Sequence, residues 1–199
     1  LVIQAGGESR RMGADKALLP FLGQPLILRL LNRLAGLADE VLVTSNQPEN
    51  YRFLGLSPIP DLLPGCGALG GLYTALEAAH HLCVAVVACD MPFASPELVA
   101  AELVLLLEMD ADAVIPRSAN GTEPFHAVYR RETCLPAIES AIDADLWKVI
   151  AWFPQVRVVE LSAEEARSFD PQGLAFWNVN TPEEFARAEE IAKNQSTQR

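Results

Sequence analysis

The sequence predicts an α/β protein, a three-layer α/β/α sandwich around a mostly parallel sheet. Short β-branched apolar runs alternate with longer stretches of helical period, the pattern of βα units. Two helix starts can be read directly: Ser95-Pro96 puts a capping hydroxyl ahead of a proline at the first helical position, and Thr181-Pro182-Glu183-Glu184 adds the glutamate of a capping box. A glycine-rich segment follows the first apolar run, at the strand end where open α/β sheets collect ligands.

These signals place strands over 1–5, 40–45, 84–88, 113–116, 127–129 and 157–161. Helices are expected over 25–37, 69–82, 96–109, 131–142 and 182–193. The polar stretch 164–173, ending in Pro171-Gln172-Gly173, reads as a surface excursion, and the polar tail 194–199 as a frayed end. No internal repeat or long linker interrupts the chain, so one domain over 1–199 is expected.

Composition narrows the function. Half of the 199 residues are apolar, enough for a substantial core, while 15 lysines and arginines face 26 acidic residues for a net charge of -11. That balance opposes attraction to nucleic acid or to anionic lipid. The longest apolar runs, such as Leu103 to Leu107, are far too short to cross a bilayer. The chain opens inside an apolar run without a basic leader, which points to a cytoplasmic protein. Cys66, Cys83, Cys89 and Cys134 form no C-x-x-C pair and read as buried thiols.

The segment from Gln4 to Lys16 (Gln4-Ala5-Gly6-Gly7-Glu8-Ser9-Arg10-Arg11-Met12-Gly13-Ala14-Asp15-Lys16) follows the first strand directly. Adjacent glycines let a backbone approach a ligand closely, and amide groups in such a turn can converge on phosphate oxygens. Arg11 and Lys16 supply positive charge. Residues 1–33 carry five basic side chains, Arg29 and Arg33 among them, against two acidic ones, a basic spot on an acidic chain. A solvated glycine turn is the plainer alternative. It is not a Walker A loop, because the spacing from Gly7 to Gly13 is one residue too long and no Gly-Lys-Ser/Thr follows.

A second candidate is Asp90, delivered at the carboxyl end of the run Val84 to Ala88. It should face the same crevice, where one carboxylate together with substrate phosphates and water can hold Mg2+; a cap of the turn before Pro92 is the alternative. Gly65-Cys66-Gly67-Ala68-Leu69-Gly70 spells G-x-G-x-x-G, but three prolines between positions 58 and 64 argue against an interior strand leading into it. We read it as a loop packing a helix against the crevice rather than a dinucleotide fingerprint. His126 opens a strand and is more readily structural than catalytic. Asn178 and Asn180 alternate onto one side of the chain, where they could reach a ligand or satisfy turn backbone. His80 and His81, read inside a helix, receive no function.

Taken in order, Ala5-Gly6-Gly7-x-Ser9-x-Arg11-Met12-Gly13-x-Asp15-Lys16, Pro20-Phe21-x-Gly23-x-Pro25-Leu26, Cys89-Asp90-Met91-Pro92, His126-Ala127-Val128-Tyr129 and Asn178-Val179-Asn180-Thr181-Pro182 resemble the molybdenum cofactor guanylyltransferases. The first loop alone marks only the wider nucleotidyltransferase superfamily. The resemblance implies a Rossmann-like nucleotidyltransferase fold and transfer of GMP from GTP to the terminal phosphate of molybdopterin, with Mg2+ present and pyrophosphate released. It also implies nucleotide contacts from Gln4, Ala5, Gly6, Gly7 and Gly13, with Arg11 and Lys16 on the phosphates and Asp90 on the metal. Asn46 and Asp61 would lie near ribose and guanine, and His126, Asn178 and Asn180 on the acceptor side or around the metal. Transient contact with cofactor-receiving enzymes would follow. Gln4 departs from the apolar residue usual in the family. Ala-Gly-Gly rather than Ala-Ala-Gly in the loop favours GTP over CTP. The competing readings are a CMP- or sugar-phosphate nucleotidyltransferase and a catalytically silent nucleotide-binding adaptor that delivers cofactor.

Overall fold

The computed structural model describes residues 1–5 and 15–197. Strand alternation divides the apolar side chains between two helical layers, because neighbouring residues of a strand face opposite sides of a sheet. Ile3, Val87, Val114 and Val128 pack on one side, whereas Val2, Val86, Ala113, Ile115, Ala127 and Tyr129 pack on the other. Both sets are buried, which yields the expected three layers.

In chain order the elements are β1 (Val2–Gln4), β2 (Pro20–Phe21), β3 (Gln24–Pro25), α1 (Leu26–Leu34), β4 (Leu42–Ser45), β5 (Ile59–Pro60), α2 (Gly67–Ala78), β6 (Cys83–Ala88) and α3 (Pro96–Glu108). They continue with β7 (Ala113–Ser118), β8 (Gly121–Thr122), β9 (His126–Arg130), α4 (Arg131–Asp143), β10 (Val158–Leu161), α5 (Ala163–Arg167) and α6 (Pro182–Thr197). The main sheet runs β10-β7-β9-β6-β1-β4-β5, with β8 hairpinned onto β7. Only β9 and β8 pair antiparallel within it, so the sheet is mostly parallel. Helices α1, α3 and α6 contribute to the first layer, α2 and α4 to the second. In α1 the buried set Leu26, Ile27, Leu30 and Leu34 recurs at helical spacing and faces the sheet.

Both read caps are present. Ser95 Oγ accepts from Leu98 N at 3.2 Å, and Thr181 and Glu184 exchange the two bonds of a capping box. Other expectations need correction. Helix α2 starts two residues before the expected 69 and stops at Ala78, so His80 and His81 lie beyond it, with His80 bound through N and Nδ1 to Glu40. The excursion 164–173 contains α5, whose capping box, Ser162 with Glu165, is an S-x-x-E signal that was legible in the sequence. Helix α6 continues to Thr197, into the expected tail, and Gln195 donates to Gln172 at 2.6 Å. Cys89 and Cys134 are buried, but Cys66 and Cys83 are only half-buried. No helix among the described residues is long and apolar enough to cross a membrane.

The G-x-G-x-x-G stretch has a packing role. A Cβ at Gly70 would lie 2.7 Å from Cys66 Cβ and 3.0 Å from the Leu63 carbonyl oxygen, so only glycine lets α2 close onto the loop before it. A Gly70→Ala variant should lose about 1–3 kcal/mol of unfolding free energy in urea denaturation. Gly36→Ala, whose added methyl meets nothing within 4 Å, should stay within about 0.5 kcal/mol of the parent.

Candidate active site

Because β1 and β6 are parallel neighbours, the loops leaving their carboxyl ends emerge side by side. After β6, Cys89 N donates to Gln4 O at 3.0 Å and Met91 N to Ala88 O at 3.3 Å, a turn that holds Asp90 at the sheet edge. After β1, Asp15 caps a 3-10 turn, Lys16–Leu18, accepting from Ala17 N at 3.1 Å. Its other oxygen accepts from the buried Tyr51 hydroxyl at 2.5 Å. Burial, and then the Asp15 carboxylate, push the Tyr51 pKa well up, so the phenol remains a donor.

Lys16 Nζ donates to Asp90 Oδ2 at 2.6 Å and to Asn180 Oδ1 at 2.9 Å. Asn180 is brought there by the bond from Val179 N to Asp90 O at 2.9 Å, which stitches the segment before α6 to the β6 loop. Both charged side chains are mostly sheltered, 15% and 17% exposed. An ion pair this dry loses much more than a surface pair when one partner is removed, because the other is left poorly solvated.

The pair lies in a cavity of about 750 Å3 whose walls include Gln4, Ala5, Asn46, Asp61, Gly65, Gly67, Glu123, Phe125 and Asn178. Thus Gln4, Ala5, Lys16, Asn46, Asp61, Asp90 and Asn178 share one crevice. Asp61 receives Leu63 N and Thr74 Oγ1 on Oδ1 alone, leaving Oδ2 with no partner among the described residues. The Gln4 side chain reaches under α2, where a Cβ on Gly71 would come within 1.7 Å of its amide nitrogen. Gly6, Gly7, Arg11 and Gly13 lie outside the described residues.

Two expectations about this site change. Arg29 and Arg33 do not contribute to a phosphate-facing basic spot: their Nε atoms donate to the carbonyls of Pro92 and Ala94, and Arg29 lies over the Phe21 and Phe93 rings. Burial, and then Arg33, lower the Arg29 pKa to about 10. His126 is fully buried and does not line the crevice. It accepts from Ser95 N through Nε2 at 3.2 Å, so its Nδ1 carries the proton donated to Glu102 at 3.0 Å. Sequence reasoning also missed the Asp15–Tyr51 clamp, for which no local signal exists, since its partners come from separate segments.

The sequence pattern of the MobA-like NTP transferase domain matches residues 1–159. The chain belongs to the MobA-like NTP transferase family. This transferase is 40% identical over its whole length, and 95% of the relative's, to a protein of Pelotomaculum thermopropionicum named "Probable molybdenum cofactor guanylyltransferase". It is 33% identical to the "Molybdenum cofactor guanylyltransferase" of Desulfosudis oleivorans, covering 96% of this chain and 95% of that one. Among solved structures, molybdopterin-guanine dinucleotide biosynthesis protein A from Archaeoglobus fulgidus superposes with a TM-score of 0.83 at 28% identity, covering 97% and 98% of the two chains. The transferase is thus a nucleotidyltransferase with the fold expected of one.

The buried Glu102–His126 pair beneath the Ser95 cap is open to a stability test. Glu102 Oε2 has no partner among the described residues, and burial, partly offset by His126, pushes the carboxyl pKa up to about 7 from 4.5. Between those values the folded protein keeps a proton that the unfolded chain has released, so stability falls as pH rises through that window and levels off above about 7. Replacing Glu102 by Gln should remove this loss. Urea denaturation from pH 5 to 8 should show the variant gaining on the parent by up to about 1.4 kcal/mol per pH unit up to 7, with no further gain above it.

Proposed function

We propose that this nucleotidyltransferase moves GMP from GTP to the terminal phosphate of molybdopterin and releases pyrophosphate. The observation that carries the reading is the Lys16–Asp90 pair in a crevice at the carboxyl ends of β1 and β6, with Asn180 bonded to the lysine. The names of the relatives supply the substrates: guanylyltransferase and molybdenum cofactor.

Among the described residues no three His, Cys, Asp or Glu side chains cluster as a metal cage. The Asp90 carboxylate in the crevice is a donor of the kind Mg2+ takes, since that ion uses one or two carboxylates and fills its remaining positions with phosphate oxygens and water. Asp90 would hold it with the carboxylate that Lys16 gives up. When bound, the ion neutralises phosphate charge and polarises the α-phosphate. Lys16 trades its carboxylate and amide partners for phosphate oxygens. Its charge screens the approach of two anions and stabilises the departing pyrophosphate. An acceptor phosphate with a second pKa near 6 is ionised at neutral pH, so its oxygen needs no strong general base. That oxygen forms the new bond to the α-phosphorus as the α–β bridging bond breaks and its electrons leave on pyrophosphate. Arg11, with Gly6, Gly7 and Gly13 of the leading loop, belongs with the phosphates in this reading. Asp61 would accept from the guanine N1–H and N2 amine through Oδ2, and Asn46 would lie beside the ribose. A cytoplasmic location and transient contact with cofactor-receiving enzymes complete the proposal.

Titrating the protein with GTP, CTP and ATP, with and without Mg2+, should give GTP the lowest Kd by about tenfold or more and tighten its binding when the ion is added. Equal affinity for the three nucleotides contradicts the assignment. In the transfer assay, Asp90→Ala and Lys16→Met should each lower kcat/KM by about 100-fold to 1000-fold while still unfolding cooperatively. Turnover near that of the parent removes the altered residue from the mechanism.

A further inference from the structure

A second cavity of about 470 Å3 opens beside the crevice, between the β7–β8 hairpin, α5 and the segment leading to α6. Asn178 lines both cavities, and Asn180, on the wall of the second, is bonded to Lys16. A molecule whose phosphate lies at Lys16 therefore passes Asn178 and Asn180 on its way into the second cavity. The volume falls within the range of small-molecule sites.

The walls suit a flat heteroaromatic ring with a polar edge. Phe176 and Trp177 form an aromatic side, and each is braced from behind: Phe176 packs edge-on to His126 at 5.4 Å, while Trp177 meets Phe93 at 6.5 Å and carries the Arg187 guanidinium at 5.0 Å. Rings held this way offer contact area with little ordering left to lose. Asp170, in the same lining, takes Ala175 N on Oδ2 at 2.6 Å, and its Oδ1 has no partner among the described residues. Arg117 also lines the cavity, paired with Glu160 at 2.9 Å and half exposed.

We propose that this second cavity seats the pterin ring of the acceptor, with Asp170 accepting from the N3–H and 2-amino group of its pyrimidine edge and Phe176 and Trp177 flanking its face. The proposal rests on the transfer reaction set out above and adds the acceptor's binding site. A carboxylate there selects a ring that presents two adjacent donors, as a 2-amino-4-oxopteridine does and a 2,4-dioxopteridine does not.

The probes are 6-hydroxymethylpterin monophosphate and its 2,4-dioxo analogue, titrated into the full chain by their own fluorescence in the presence of GTP and Mg2+. The acceptor KM for molybdopterin is measured alongside. The parent should prefer the pterin probe by roughly tenfold or more. Asp170→Asn, which keeps an oxygen for Ala175 N, should erase that preference and raise the acceptor KM by a similar factor, leaving the Kd for GTP within about twofold. Arg117→Ala, a milder surface change, should raise the acceptor KM without altering the pterin preference. A parent that transfers GMP normally while both variants keep its acceptor KM and preference overturns this site alone. A parent that binds GTP but neither uses molybdopterin nor binds the pterin probe overturns the transfer reaction and this site together. A changed GTP affinity in Asp170→Asn also overturns it, since the cavity then belongs to the nucleotide.

Discussion

The arrangement turns on one contact, the ion pair between Lys16 and Asp90. Its members are 74 positions apart in sequence, and what joins them is the register of two parallel strands, Gln4 beside Ala88, which sets the ends of β1 and β6 level. At this point the strand order reverses: β4 and β5 lie on one side of β1, and the later strands on the other. Such switch points leave a crevice at the carboxyl ends of the strands. In the proposed reaction, the lysine and carboxylate facing each other there, largely withdrawn from water, exchange each other for a phosphate and a cation. On that proposal the pair holds the two charges in mutually satisfied form until a ligand that needs both arrives. Asn180 and the Asp15–Tyr51 clamp keep the lysine from turning out to solvent.

Much of the fold was legible because it depends on local periodicity. Each of the six expected strands is present, and alternation such as Val2 with Ile3, or Ala113 with Val114, divides their side chains between the two layers. The two-residue strands β2, β3, β5 and β8 were not legible, since two residues carry no period and exist as strands only through their partners. The end of α2 was misplaced for a related reason: no glycine, proline or asparagine punctuates residues 72–82, and nothing local shows that Glu40, from another segment, holds His80 outside the helix. Helix α5, by contrast, carried its capping signal in plain sight.

The site divides along the same line. Gln4, Ala5, Lys16 and Asp90, at or after the ends of two legible strands, could be placed from sequence, because strand ends fix where a side chain emerges, whereas Asp61 follows the illegible β5 and came only from the family resemblance. Counting charge along the chain was misleading: Arg29 and Arg33 are near Lys16 in sequence, yet they donate to backbone carbonyls of the loop after Asp90. His126 matched a familiar motif, but its buried bonds to Ser95 and Glu102 make it a brace between β9, α3 and the end of that loop. These are three-dimensional facts that linear spacing does not carry.

The exchange of partners at Lys16 and Asp90 is tested most directly by diffraction from crystals grown with GTP and Mn2+, the metal located by its anomalous signal. The account predicts metal density against the Asp90 carboxylate and Lys16 Nζ moved onto phosphate oxygens. A metal bound away from Asp90, or a 2.6 Å Lys16–Asp90 pair that persists with nucleotide in the crevice, would contradict it.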